Sequence, residues 1–153
     1  MSTLLEQAEL AADLLGAAAH ENGRIVCTAE SLTGGMVSEL ITSVAGSSAW
    51  FDRGYVTYQI SGKEEMIDVP AEVIAEFGVV SEPVAEAMAR GALACSHADL
   101  SVALTGVAGP SGGTAQTPVG TVCIGWAERD PSGAIATSVR TIHVTGDLSL
   151  IHI

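Results

Sequence analysis

Basic side chains are scarce in this sequence. Its 153 residues include six Lys and Arg against 18 Asp and Glu, which gives a formal net charge of −12. Arginine supplies all but one of the six, and Lys63 is the only lysine. Sequence-independent binding to nucleic acid or to an anionic membrane needs clustered Lys and Arg to neutralise phosphates. We therefore predict that the partners of this protein include neither nucleic acid nor membrane.

Aromatic residues and long apolar runs are also lacking. Aromatic residues make up 4% of the chain and hydrophobic residues 48%, so the core must be built from Ala, Val, Leu and Ile. No apolar run approaches the ~20 residues that span a bilayer. Acidic residues interrupt Met1–Ala19, where a secretory signal would be apolar. These features predict one folded domain in the cytoplasm.

Metal-binding patterns are absent as well. The three cysteines are widely spaced without a C-x-x-C pair, and the four histidines form no H-x-x-x-H or H-E pair. These residues therefore predict neither a disulfide framework nor a metal site. We expect a protein that needs no metal and no other cofactor.

Hydrophobic periodicity predicts helices and strands in alternation. Near the end of the chain, however, two predicted strands follow each other directly. This order predicts an α/β fold with three layers, α/β/α, around a mixed central sheet. The predicted helices span residues 4–20, 36–44, 61–68, 71–77 and 81–95, and the predicted strands span residues 24–29, 50–58, 99–105, 120–127 and 134–144.

Two polar, glycine-rich segments each follow a predicted strand directly. They are Glu30–Gly35 and Thr105–Gly113, and neither contains a Walker motif or a dinucleotide-binding G-x-G-x-x-G. Ligands of open α/β sheets bind at the carboxyl ends of strands. We therefore expect both segments to contact a ligand, although the glycines of the second are also consistent with a flexible connection.

Ser31 lies where a strand passes into a helix. Its hydroxyl and the free N–H groups of Leu32 and Thr33 could point at one spot and bind a phosphate or an oxyanion. The alternative is that Ser31 only caps the following helix. Tyr58, at the end of its predicted strand, could donate a hydrogen bond to Ser31 or Lys63, or could be an interfacial aromatic residue.

Lys63 is informative because arginine supplies every other positive side chain. The Ser and Glu at positions 61 and 64 have capping-box spacing, which predicts a helix that begins at Ser61 with Lys63 in its first turn. There the helix dipole disfavours a cation by roughly 0.3–1 kcal/mol. A lysine that acts as a base needs its pKa lowered from about 10.4 to about 7–8, so desolvation or a second cation must supply the rest. The alternative is a solvated surface lysine.

Several short segments form a specific combination of motifs. They are Thr28–Gly35 (TAESLTGG), Gly54–Tyr58 (GYVTY) with Lys63, Gly78–Glu82 (GVVSE), and Thr105–Thr114 (TGVAGPSGGT) with Pro118–Val122 (PVGTV). Their order and spacing resemble the CinA C-terminal domain family, from residue 3 to about residue 147. Members of this family are nicotinamide-nucleotide amidohydrolases (NMN deamidases). The chain resembles the stand-alone form, without the N-terminal domain of longer CinA proteins.

The resemblance implies hydrolysis of the carboxamide of nicotinamide mononucleotide to nicotinate mononucleotide and ammonia, without a metal. Ser31 matches the family's nucleophile, and Lys63 and Tyr58 match the residues that activate it. Neutral Lys63 would take the Ser31 proton, and backbone N–H groups after Ser31 would hold the oxyanion. Backbone donors of both glycine-rich segments would hold the ribose and the 5′-phosphate. The expected substrate-binding residues are Glu30, Thr33, Gly34, Gly35, Thr105, Gly106, Gly109, Gly112 and Gly113.

Three features depart from the family pattern. Leu32 stands where the family usually has Cys, and Ile60 stands where it has Asn, which removes a polar group. The family continues with an arginine and a long amphipathic helix after position 147, whereas residues 148–153 here are LSLIHI. We therefore expect a domain at residues 1–147, a non-native tail at residues 148–153, and apolar sheet surface left bare.

The leading hypothesis is an amidohydrolase that acts on nicotinamide mononucleotide by a Ser-Lys mechanism, as the resemblance implies. One alternative is a non-catalytic module that binds a nucleotide or phosphate. Another is an inactive, truncated fragment. By analogy with the family, we expect a homodimer or a larger homo-oligomer.

Overall fold

The computed structural model describes residues 1–145, which form a mixed sheet with helices on both faces. The predicted α/β fold is confirmed, and the observed element ends lie within two residues of the predicted ones. A short 3₁₀ helix, Ser47–Ala49, replaces part of a predicted loop. In chain order the other elements are α1 (Leu4–Glu21), β1 (Val26–Glu30), α2 (Met36–Thr42), β2 (Phe51–Val56), α3 (Ile60–Ile67), α4 (Ala71–Phe77), α5 (Glu82–Ala94), β3 (Leu100–Gly106), β4 (Thr121–Arg129) and β5 (Ile135–His143).

The sheet has the strand order β2-β1-β3-β4-β5. β1 is parallel to both of its neighbours, whereas β4 and β5 pair antiparallel as a hairpin. Helix α2 connects β1 to β2, and α3 to α5 connect β2 to β3. The carboxyl ends of β1, β2 and β3 therefore lie at one edge of the sheet, where the segments that follow them meet.

Side-chain alternation along the strands divides the core between two faces. On one face, Cys27 and Ala103 pack with buried residues of α5 such as Met88. On the other face, Val26 packs with Trp50 and with residues of α1 and α2. Helices thus cover both faces of the sheet, and the predicted three-layer arrangement is confirmed.

Local sequence signals account for the starts of the longer helices. Thr3 caps α1 in a capping box with Glu6. Ser81 caps α5, and Pro83 lies in the first turn, where a missing N–H costs nothing.

The start of α3 differs from the prediction. The N-cap is Gln59, which has extended backbone angles and no side-chain cap, so the capping box predicted for Ser61 and Glu64 does not form. The Gln59 carbonyl instead accepts a hydrogen bond from the Lys63 N–H at 3.2 Å. Ser61 cannot cap the helix because it already lies inside the first turn. Lys63 keeps its predicted place in that turn.

The described residues leave part of one sheet face uncovered. Trp126 is 39% exposed there and lines an apolar cavity of about 530 Å³ with Leu15 and Val102. Bare apolar surface of this kind is predicted from the sequence, whereas the predicted tail at residues 148–153 lies outside the described residues. No helix within the described part of the chain is long and apolar enough to cross a membrane.

Candidate active site

The side chains of Ser31 and Lys63 meet at the carboxyl edge of the sheet. Ser31 directly follows β1, and Lys63 lies in the helix that follows β2. Because β1 and β2 are parallel neighbours, the segments after them lie side by side. The Lys63 Nζ is 2.9 Å from the Ser31 Oγ. The two residues expected to act as nucleophile and base are thus within hydrogen-bond distance.

Lys63 is completely buried, with 0% of its surface exposed. Burial lowers the pKa of Lys63 to about 8, because desolvation disfavours the ammonium form. Of the two causes considered from the sequence, desolvation is therefore the one that acts. The alternative of a solvated surface lysine is wrong.

Two backbone carbonyls orient the Lys63 amine. Nζ donates to the Thr57 carbonyl at 2.6 Å and to the Tyr58 carbonyl at 3.5 Å. A neutral amine has two N–H groups and one lone pair. With the N–H groups directed at the carbonyls, the lone pair is left for the Ser31 hydroxyl, which suits Lys63 as a proton acceptor.

The turn after β1 presents backbone donors beside Ser31. The Ser31 N–H continues the sheet ladder to the Leu104 carbonyl at 3.1 Å, and the Gly34 N–H closes the turn on the Ser31 carbonyl at 3.1 Å. The N–H groups of Leu32 and Thr33 have no hydrogen-bond partner among the described residues. They remain free to bind an anion that forms next to Ser31.

A cleft of about 440 Å³ opens beside Ser31. Its walls come from the segments that follow β1, β2 and β3 and from the segment that precedes α5, and its volume suits a small molecule. The larger cavity on the uncovered sheet face contains neither Ser31 nor Lys63. The cleft is lined by Ser31, Leu32, Tyr58, Gln59, Val79, Val80, Thr105, Gly106, Val107, Ala108, Gly109, Ser111 and Gly112.

The lining of this cleft contains no side chain that is charged at neutral pH. Within residues 1–145, no group of three or more His, Cys, Asp or Glu is placed to hold a metal ion. The N–H groups of Ala108, Gly109 and Ser111, in contrast, have no partner in the described part of the chain. An anionic ligand group would therefore be held by backbone donors of the loop after β3.

The expected substrate-binding residues fall into two groups. Thr105, Gly106, Gly109 and Gly112 line the cleft with Ser31. The structure does not place the others along it, and it gives several of them a different task. The carboxylate of Glu30 is buried within the turn, where it accepts a hydrogen bond from the Thr33 hydroxyl at 2.7 Å. The residues outside the lining are Glu30, Thr33, Gly34, Gly35 and Gly113.

The Tyr58 side chain lies at the rim of the cleft and is 66% exposed. Its hydroxyl makes no hydrogen bond to Ser31 or Lys63, and only its backbone carbonyl contacts the amine. The expected contact of the hydroxyl with these two residues is therefore not present in this structure. The residue belongs to the exposed part of the cleft lining.

Sequence reasoning missed some residues of the site. The Thr57 carbonyl, which holds the Lys63 amine, carries no signal in the sequence because every residue has a carbonyl. Gln59 and Val80 also line the cleft. The nearby GYVTY and GVVSE motifs were the available signal for them, since both segments belong to the family pattern.

The sequence pattern of the CinA C-terminal domain matches residues 8–152. The chain belongs to this family. The CinA-family relative from Escherichia coli K12 named nicotinamide-nucleotide amidohydrolase PncC is 51% identical over 113 residues, which cover 74% of this chain and 68% of the relative. The protein of the same name from Enterobacter agglomerans is 48% identical over 116 residues, covering 76% and 71%.

Longer relatives match as well. A putative competence-damage inducible protein from Symbiobacterium thermophilum is 48% identical over 131 residues, which cover 83% of this chain but 31% of the relative. The chain therefore spans about a third of the length of that relative.

Solved CinA structures share the fold. The crystal structure of a CinA superfamily protein from Klebsiella pneumoniae 700603 superposes with a TM-score of 0.86 at 32% identity, covering 95% of this chain and 88% of that chain. The CinA superfamily protein ECK1530/EC0983 from Escherichia coli gives a TM-score of 0.85 at 31% identity, covering 95% and 81%. These structures confirm the expected CinA fold.

Proposed function

We propose that this CinA-family chain hydrolyses the carboxamide of nicotinamide mononucleotide to nicotinate mononucleotide and ammonia. Two bacterial relatives at about half identity carry the name nicotinamide-nucleotide amidohydrolase. The observation that carries the proposal is the 2.9 Å contact between the Ser31 Oγ and the Nζ of buried Lys63. A serine hydroxyl that lines a small-molecule cleft, beside a buried amine, supports amide hydrolysis through a covalent intermediate.

The reaction begins with proton transfer from Ser31 to neutral Lys63. The Ser31 Oγ attacks the carboxamide carbon, and backbone N–H groups that follow Ser31, first that of Leu32 in the cleft lining, stabilise the oxyanion. Collapse of the tetrahedral intermediate breaks the carbon–nitrogen bond, and the Lys63 ammonium returns the proton to the departing ammonia. Water then attacks the ester on Ser31 with Lys63 as base, which releases the carboxylic acid.

The nucleotide would lie with its pyridine ring toward Ser31 and its phosphate toward the loop after β3. The N–H groups of Ala108, Gly109 and Ser111, which have no partner within residues 1–145, can bind phosphate oxygens without a basic side chain. Val79 and Val80 supply apolar wall for the ring. This placement reconciles an acidic chain with an anionic substrate.

The decisive experiment measures ammonia and nicotinate mononucleotide formed from nicotinamide mononucleotide by the purified chain. We expect turnover by the wild type and by Ser43→Ala, a matched control on the exposed end of α2. We expect at least a 10³-fold lower kcat for Ser31→Ala with its fold retained. Binding of the nucleotide without any turnover by the wild type would contradict the proposal and favour the non-catalytic binding module.

We also propose that the chain acts in the cytoplasm as a homodimer or larger homo-oligomer, with its domain at residues 1–147. The apolar sheet face around Trp126 supports association, because apolar patches of this kind are often interfaces. Sedimentation analysis tests the assembly, and a monomer at all concentrations would contradict it.

A further inference from the structure

The Glu30 carboxylate lies directly before the nucleophile but does not reach the cleft. It is 0% exposed and accepts four hydrogen bonds from its own chain. Its Oε1 accepts from the Thr33 hydroxyl at 2.7 Å and from the Val37 N–H at 2.8 Å. Its Oε2 accepts from the N–H and hydroxyl of Ser38 at 3.0 and 2.7 Å. These four bonds occupy the lone pairs of both oxygens.

These bonds tie the two ends of the nucleophile turn together. Thr33 lies inside the turn that carries Ser31, and Val37 and Ser38 lie in the first turn of α2 beyond it. An unpaired carboxylate in this position would be strongly destabilising, so the negative charge keeps the turn in the conformation that supplies its donors. Glu30 forms no ion pair with a described residue, so it does not act by holding Lys63 as a cation.

The carboxylate belongs to a buried polar chain that extends away from the cleft. Ser38 donates its single hydroxyl hydrogen to Glu30, so the Thr28 hydroxyl must be the donor in the 2.7 Å contact with Ser38. Gly54 lies opposite Thr28 in β2. A Cβ on Gly54 would lie 2.3 Å from the Ser38 Oγ and 2.7 Å from the Thr28 Oγ1. The glycine of the GYVTY motif therefore leaves space for this chain.

Ser31 and Lys63 together form the dyad of the proposed mechanism. The backbone of Glu30 is linked through Thr57 to Lys63. Its carbonyl accepts a hydrogen bond from the Thr57 N–H at 2.8 Å. The Thr57 carbonyl in turn accepts from the Lys63 Nζ at 2.6 Å. Glu30 thus contacts the turn that carries Ser31 through its side chain and the residue that orients Lys63 through its main chain.

We propose that Glu30 is a positioning residue that fixes the separation of the Ser31 Oγ and the Lys63 Nζ. This inference rests on the proposed function for its kinetic consequences, and it replaces the expected contact of Glu30 with a substrate. A misplacement of about 1 Å at a reacting atom can lower a rate 10²-fold. Loss of the carboxylate therefore lowers the rate of the chemical step and leaves substrate binding largely intact.

The experiment compares Glu30→Gln with Glu39→Gln, the same substitution at an exposed carboxylate of α2. In Glu30→Gln, an NH2 group that can only donate replaces one carboxylate oxygen and faces a backbone N–H donor. We expect kcat to fall roughly 10- to 100-fold with KM within about threefold of the wild type. Ser38→Ala removes one donor and should lower kcat by a smaller factor in the same direction. Glu39→Gln should match the wild type.

A second readout does not depend on the proposed substrate. A fluorophosphonate forms a bond between the Ser31 Oγ and phosphorus with loss of fluoride, and its rate reports activation of Ser31. We expect labelling of Glu30→Gln and Ser38→Ala to slow by the same factors as kcat, measured on protein whose fold is verified by circular dichroism. Failure of the wild type to hydrolyse the nucleotide, with labelling still slowed in both variants, would reject the proposed function alone.

Two results would overturn the positioning role. In one, Glu30→Gln keeps its kcat and raises KM, which would show that Glu30 contacts the substrate. In the other, both variants label at the wild-type rate. If Glu30→Gln does not fold, Ser38→Ala decides alone: slower labelling at unchanged KM supports the role, and wild-type labelling contradicts it.

Discussion

The two segments at the carboxyl edge of the sheet are both polar and glycine-rich, but they differ in burial and in hydrogen bonding. In the turn Glu30–Gly35, the first two residues are buried, and hydrogen bonds tie the turn to β3 and to α2. In the loop after β3, residues 110–116 are exposed. Hydrogen bonds join Val107 to Gly120 and Thr121 at the base of the loop, and others join Thr114 to Thr117. Both segments contain free backbone N–H groups, but buried hydrogen bonds anchor the turn, whereas residues 108–113 of the loop make no hydrogen bond within the described part of the chain.

We interpret this difference as a division of roles, in which the turn positions the reacting groups and the loop binds the substrate. Reacting groups need positions held to a fraction of an ångström, which buried hydrogen bonds provide. A phosphate-binding loop needs unpaired N–H groups that a ligand can satisfy. We therefore expect changes in the turn and its buried partners to lower kcat, and changes in the loop to raise KM. The following predictions test this division, from the largest effect to the smallest.

Lys63→Met should have the largest effect. It removes the base while keeping an unbranched chain of similar volume, so kcat should fall at least about 10³-fold with little change in KM. The variant should be as stable as the wild type or more stable, because a buried amine is replaced by an apolar group. Ammonia release and thermal unfolding measure the two effects, with Arg90→Met as an exposed control. A kcat within tenfold of the wild type would remove Lys63 from the mechanism.

The pH dependence should follow the titration of Lys63. Its pKa is lowered to about 8, and the reaction needs the neutral amine, so kcat/KM should rise with pH and level off above about 8. Between pH 6 and pH 8 the expected rise is roughly 50-fold. A flat profile across this range would contradict a lysine base.

The same lowered pKa affects folding stability, and the sign can be derived. The unfolded chain binds a proton at Lys63 up to about pH 10.4, whereas the folded chain loses it near pH 8. The unfolded state therefore binds more protons in this window, and the Lys63 contribution to stability rises with pH across it. Denaturant unfolding of the wild type and of Lys63→Met at pH 7 and pH 9.5 measures the contribution. The variant should lack this rise.

Gly112→Ala tests the loop and should act on KM. Gly112 has φ +90°, which strains an alanine, and an added Cβ would meet nothing closer than 4.0 Å. We expect KM to rise about three- to tenfold with kcat nearly unchanged, because the loop shifts while the dyad stays in place. Gly133→Ala is the matched control, since Gly133 has φ +88° in the β4–β5 turn with nothing within 4 Å. A fall in kcat at unchanged KM would contradict the division.

Tyr58→Phe should have the smallest effect. The Tyr58 hydroxyl makes no hydrogen bond to Ser31 or Lys63, so its removal should change kcat by less than about threefold. Tyr58→Ala should in addition raise KM, because it removes the ring at the rim of the cleft. Steady-state kinetics separate these cases. A kcat loss of tenfold or more in Tyr58→Phe would support the activating role expected from the family resemblance.

The sequence predicted the fold well because its signals are local and repeated. Helical periodicity and the cap at Ser81 place α1 and α5, and the order of strands and helices gives the mixed sheet. The start of α3 was predicted wrongly, because capping-box spacing at Ser61 cannot reveal that Gln59 takes the cap position. The spacing of Ser61 and Glu64 carries no information on where the chain leaves β2, and that position determines which residue begins the helix.

The sequence predicted the part of the site that a rare residue type marks. It did not predict contacts between residues that are distant in the chain. The single lysine pointed to Lys63, and the structure places its amine beside Ser31. The depth of its burial could not be predicted, nor could the carbonyl of Thr57 as its partner. Glu30, which precedes Ser31 in the chain, was expected to contact substrate. Its direction depends on the pleat of β1 and the approach of α2, which neighbouring residues do not encode.

The buried lysine also determines how this protein responds to amine-directed reagents. The sequence has one lysine, and its Nζ is enclosed, so no lysine amine is accessible in the folded structure. Acylating labels and amine cross-linkers should therefore leave Lys63 unmodified while the fold is intact. Any acylation of Lys63 would require a transient opening of the structure around its amine, so the rate of that modification would measure how often the buried base becomes exposed to solvent.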